Sequence, residues 1–83
     1  FMSEVILTLD FPIQDGQGNT LTELKIRRPK VRDIRKMTGK TEAEQSVSLL
    51  AIVTNLVPED IDELDIADFQ RAAQIIEKMQ KGK

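Results

Sequence analysis

Residues 46–57, SVSLLAIVTNLV, set Leu49, Leu50, Ile52, Val53, Leu56 and Val57 among the polar breaks Ser46, Ser48, Thr54 and Asn55. Wound at 3.6 residues per turn, these apolar side chains cover much more than one narrow stripe. One face gathers Val47, Leu50, Val53, Thr54 and Val57, and the adjoining face Leu49, Ile52 and Leu56. A helix so apolar around its girth needs cover on more than one side. The chain has 83 residues, and one this short buries about 60–65% of the surface its unfolded form exposes. The rest of the fold is therefore expected to wrap this helix, in one small domain over 1–83. Whatever stays uncovered is the expected partner surface.

The flanking segments are read by period. Val5, Leu7, Leu9 and Phe11 alternate with Ile6, Thr8 and Asp10, and Thr22, Leu24 and Ile26 share one side of a second alternating run. Both patterns predict strands. Between them Asp15-Gly16-Gln17-Gly18-Asn19 tolerates the positive φ of a tight turn, so the two runs form a β-hairpin over about 4–28. Pro29 ends the second strand. Val31, Ile34 and Met37 recur on one face of a short helix over about 30–37, which leaves Arg32, Arg35 and Lys36 outward and places Gly39 in its C-cap region. Thr41-Glu42-Ala43-Glu44 matches a capping box, in which the Thr41 hydroxyl takes the Glu44 amide and the Glu44 carboxylate returns to the Thr41 amide. The apolar helix thus spans about 42–56, stopped by Pro58. A single turn over 58–63 turns Ile61 and Leu64 inward. Asp65 caps a last helix over 66–80, whose inward face is Ile66, Phe69, Ala72, Ala73, Ile76 and Met79. The fold class is α+β: an N-terminal hairpin followed by three to four helices. Met2 reads as the natural first residue, and Gly82 and Lys83 are expected to fray.

The chemistry the chain lacks narrows its function. It has no histidine, cysteine, tyrosine or tryptophan, and so lacks the commonest general base, the thiolate nucleophile and the usual zinc ligands. Asp60, Asp62, Asp65 and Asp68 lack the central glycine and terminal glutamate of a calcium loop, and helix capping accounts for them. Gly16-Gln17-Gly18 opens no phosphate-binding helix. No enzyme activity, cofactor or metal is expected. No apolar run nears the roughly 20 residues that span a bilayer. The start lacks the basic region and cleavage site of a secretory signal.

Net charge is −2, but the charges are sorted. Lys25, Arg27, Arg28, Lys30, Arg32, Arg35, Lys36 and Lys40 enclose a single acid, Asp33, whereas Glu59, Asp60, Asp62, Glu63, Asp65 and Asp68 enclose no base. Such a dipole steers partners and favours weak head-to-tail self-association. The basic cluster makes a nucleic-acid-binding accessory protein of phage or host the alternative function. Against it stand the acidic overall balance, the placement of the three phenylalanines at a terminus, a strand and a core position, which leaves none for base stacking, and an apolar segment where a recognition helix would be polar.

Two soft patterns connect these segments: Arg27-x-Pro29-x-x-x-Asp33-Ile34 after the hairpin, and Leu64-Asp65-x-x-Asp68-Phe69 after Asn55-Leu56-Val57-Pro58-Glu59-Asp60-Ile61. In this order, from Val5 to about Ile76, the chain resembles the small tail assembly chaperones of Mu-like contractile-tail bacteriophages and prophages. The resemblance implies a non-catalytic helper that holds the long helical tape-measure protein and is released as tail tube subunits polymerise. It also implies residence in the cytoplasm of the bacterial host and absence from the mature virion. Many phages make a second, frameshifted form of such a protein. A tape-measure protein exposes apolar stripes until the tube encloses it, and helix-in-groove binding suits such a stripe. The partner-binding candidates are Leu49, Ile52 and Leu56 for apolar contact and Arg28, Arg32 and Arg35 for orientation. A plain structural subunit of the particle is a third reading.

Overall fold

The computed structural model describes residues 4–81. The start at Met2 and the fraying of Gly82 and Lys83 lie outside the described residues.

The architecture is α+β, a two-stranded antiparallel hairpin followed by four helices. Strands β1 (Val5–Gln14) and β2 (Thr20–Ile26) meet through a turn that Asp15 organises. Its carboxylate accepts the N–H groups of Gln17 at 2.9 Å and Asn19 at 3.0 Å, an Asx arrangement. Gly18 takes the positive φ of 85° that the turn requires. The alternation in β1 is interrupted. Val5 pairs with Ile26 and Thr8 with Glu23, but Ile13 pairs with Leu21, so residues 9–12 face Thr22 alone. This long bulge turns Phe11 out to 55% exposure and keeps Leu7, Leu9 and Ile13 buried.

Helix α1 (Val31–Lys36) departs from its expected orientation. Val31 is 78% exposed and Ile34 is exposed, whereas Asp33 is buried. A carboxylate wins the inward position over two apolar side chains because it finds partners there: Arg27 donates two bonds at 2.8 and 2.9 Å and the Lys30 N–H a third at 2.7 Å. Gly39 lies beyond the end of α1 and serves a different purpose. Its φ is +119°, and a Cβ added there would stand 2.6 Å from Cβ of Glu44.

Helix α2 (Glu42–Thr54) starts as predicted, with Thr41 Oγ1 accepting the Glu44 N–H at 3.1 Å. The return bond differs, because the Glu44 carboxylate takes the Lys40 N–H at 2.7 Å rather than that of Thr41. The helix stops at Thr54, before proline forbids it to continue. Asn55 adopts the left-handed conformation with φ 60°, its N–H reaching Ile52 O while the Leu56 N–H bonds Ala51 O at 2.9 Å. These two bonds make a Schellman motif and tuck Leu56 back toward the helix end. Helix α3 (Pro58–Ile61) buries Ile61. In α4 (Ile66–Gln80), Ala72, Ile76 and Met79 are buried as expected, but Ile66 is 67% exposed and Asp68 is fully buried.

Helix α4 runs along β1. Its Asp68 and Arg71 bond to residues 8–11, and near its far end the Met79 carbonyl accepts Arg28 at 2.9 Å. Helix α2 is joined to the other strand, where the Arg27 N–H donates to Val53 O at 3.2 Å. The core of Leu24, Ile26, Leu50, Val53, Ala72 and Ile76, all buried, draws on the hairpin and both long helices.

Candidate functional site

Burial of α2 decides where a partner could bind. The apolar helix is largely covered: Leu49, Leu50, Ala51 and Val53 are buried, with Leu49 at 5% exposure. Leu49, expected among the apolar partner contacts, is thus almost wholly enclosed. Leu56 is half-buried against the core as part of the helix stop, and Ile52 is half-buried.

The basic cluster is also reduced. Arg27 forks onto Asp33, and Arg28 caps the last turn of α4 through the Met79 carbonyl, so both arginines are engaged inside the molecule. Arg32 and Arg35 are exposed on α1, beside the exposed Val31 and Ile34.

Two carboxylates hold the helices onto the hairpin. Asp33 is kept well below the usual carboxylate range, first by the Arg27 hydrogen bonds and then, against the opposing effect of burial, by the Lys30 amide. For Asp68 burial is the largest influence and disfavours charge. The Arg71 guanidinium and the amides of Asp10 and Phe11 together outweigh it, and the carboxyl titrates below its ordinary value. The charged partners in turn raise both arginines. Asp68 answers a need created by the bulge: the N–H groups of Asp10 and Phe11 have no ladder partner and donate to its two oxygens at 3.2 and 3.1 Å. Arg71 bonds Asp68, lies 3.4 Å from Asp10, and reaches the Thr8 carbonyl at 3.3 Å.

An open concavity with an apolar base lies between α2 and α4. It is a groove of about 390 Å³ whose lining includes Met37, Leu50, Phe69, Ala73 and Ile76. Leu50 and Ile76 are buried, and Met37, Phe69 and Ala73 are half-buried, so they form the floor. Glu42, Gln45, Glu77 and Gln80 are exposed and form the rim. Among the described residues no lysine or arginine lines it. The sequence placed Phe69, Ala73 and Ile76 on the inward face of the last helix. It held no signal that α2 and α4 diverge enough to leave part of that face open. Among the described residues no group of three or more His, Cys, Asp or Glu side chains is placed to hold a metal ion, and no helix is long and apolar enough to cross a membrane.

A family model described as "phage tail assembly chaperone proteins, E, or 41 or 14" matches residues 7–80, nearly the whole chain. The chain belongs to this family. Comparisons with curated proteins and with solved structures yield no match. Membership sets the protein in phage tail assembly, with partners among tail proteins. The two soft patterns that carried the resemblance hold Asp33 and Asp68, the two buried carboxylates of this member. Their work here is to fix helices to the hairpin.

Proposed function

We propose that this tail assembly chaperone holds the phage tape-measure protein, non-catalytically, by seating one of its helices in the groove between α2 and α4. The observation that supports this reading is the groove itself: an apolar floor shared by the two helices, a polar and acidic rim, and a volume near the lower end of the roughly 300–1,000 Å³ of binding pockets. Side chains of an amphipathic helix at i, i+3 and i+4 suit such a floor. Glu42 and Glu77 on the rim favour a stripe flanked by lysine or arginine. The exposed face of α1, with Val31, Ile34, Arg32 and Arg35, adds an apolar and basic contact that sets orientation. A shallow, open groove gives weak individual binding. Repeated along a long partner it gives avidity, yet each copy remains displaceable when tube subunits polymerise. Work of this kind takes place in the host cytoplasm and leaves the chaperone out of the finished virion.

The test is co-expression with the long helix-rich protein of the same phage, followed by co-purification. Ala73→Arg fills the floor of the groove with a charged chain and is expected to abolish capture while circular dichroism shows a folded protein. Ile66→Ser, on the exposed start of α4, is expected to leave capture intact. Undiminished capture by Ala73→Arg would refute the groove. Steeply salt-dependent DNA or RNA binding favours the nucleic-acid reading, and recovery of the protein from purified particles favours the structural subunit.

A further inference from the structure

The two edges of the hairpin are treated differently. The outer edge of β1 is fenced by α4: Asp68 takes the N–H groups of Asp10 and Phe11, and Arg71 takes the Thr8 carbonyl. Thr8 pairs with Glu23. Because the Thr8 carbonyl points away from β2, this is a non-hydrogen-bonded pair, and Glu23 likewise points its N–H and C=O away from β1. The other end of β2 agrees. The Arg27 N–H leaves the strand toward Val53 O, and alternation then turns Lys25 and Glu23 to the same outer side, whereas beyond the bulge the bond from the Asp15 N–H to Asn19 O sets the backbone groups of Leu21 toward Ile13 of β1. Among the described residues, no bond from outside the hairpin ladder reaches the N–H or C=O of Glu23 or Lys25. A groove of about 350 Å³ runs beside them, lined by each residue from Thr20 to Lys25 and walled by Thr54 and Leu56.

We propose that this free edge of β2 pairs antiparallel with the same edge of a second copy, forming a continuous sheet ordered β1–β2–β2–β1. Charge selects both occupant and register. With the two-fold axis at Leu24, Glu23 of each copy stands opposite Lys25 of the other, and each such pair exchanges both of its N–H···O bonds. Moving the axis to Glu23 or to Lys25 sets like charges directly opposite, which opposes pairing. Pairing ends beyond Lys25 because the Arg27 N–H is already given to Val53. A lone hairpin is marginal in water, and an open edge of this kind is what sheets close when a partner of matching pattern is present.

Sedimentation and amide hydrogen exchange test this together. The protein is expected to show a concentration-dependent dimer in which the Glu23 and Lys25 amides are protected, while in the dilute monomer they exchange freely and those of Leu24 and Ile26 stay slow. Lys25→Glu sets like charges opposite at both symmetry-related pairs and is expected to weaken the dimer about tenfold. Adding Glu23→Lys to Lys25→Glu restores opposite charges and is expected to recover most of that loss. A monomer at all concentrations up to about 1 mM, the scale of the weakest specific association, would overturn the proposal. So would a dimer whose Glu23 and Lys25 amides remain unprotected, or a double variant no better than Lys25→Glu alone.

Discussion

Replacing Asp68 with asparagine keeps the side chain's shape and removes its charge. The wild-type carboxylate is fully buried and accepts the amides of Asp10 and Phe11 together with the Arg71 guanidinium. Asparagine retains one oxygen and turns an N–H₂ toward one of those donors. A hydrogen bond to a charged acceptor contributes about 1.5–3 kcal/mol. Here the low end applies, because Asp10 and Phe11 are themselves exposed and water reaches their amides once the bond is lost. The ion pair adds little, since the Arg71 side chain is 40% exposed and solvent screens it. The expected loss is about 2–3 kcal/mol. For a domain of this size that lowers Tm by roughly 10–20 °C and the urea midpoint by about 2–3 M at a slope near 1 kcal/mol/M. Asp65→Asn is the matched control. It removes the same charge three residues earlier, but asparagine caps a helix as well as aspartate does, and the Asp65 carboxylate accepts the Ala67 N–H at 3.0 Å, a bond that an asparagine oxygen can keep. Urea melts followed by circular dichroism compare the two. If Asp68→Asn falls within about 0.5 kcal/mol of Asp65→Asn, the spread expected of neutral surface changes, the bulge does not depend on this carboxylate.

Both buried carboxyls titrate below their ordinary value. Their stabilisation is therefore fully present above the unfolded-state value of about 4 and is lost as pH falls below it. With no histidine in the chain, urea midpoints are expected to be level from pH 5 to 8 and to drop from pH 4 downward. A midpoint unchanged between pH 5 and 3 would contradict the two clamps. Gly39→Ala meets both a φ of +119° and a Cβ 2.6 Å from that of Glu44. It is expected to cost at least about 1 kcal/mol by chemical denaturation, and a neutral or stabilising effect would show that this approach of chain to helix is slack.

Local order was legible in the residues. Period two marked both strands, and Gly, Asn and Asp marked the turn. Thr41, Pro58 and Asp65 marked three helix starts, because each of these signals acts within one turn of itself. Val31, Ile34 and Ile66 stand exposed for the complementary reason. An apolar period says which side chains share a face but not whether another element reaches that face, and α1 is too short to outbid a carboxylate that gains three donors. The groove was half visible: Phe69, Ala73 and Ile76 lay on the correct stripe, but its opening depends on how far α2 and α4 diverge.

From its amino acids alone, then, the chain determined an α+β order, its caps and turns, a chemistry without histidine or cysteine, and a resemblance that membership in the tail assembly chaperones sustains. Tertiary structure decided which apolar surface is left over. It sealed Leu49 inside, engaged Arg27 and Arg28, and buried Asp33 and Asp68 as clamps, since burial and charge pairing depend on residues tens of positions apart meeting in space. The proposed partner surface accordingly lies in the gap beside the most apolar helix.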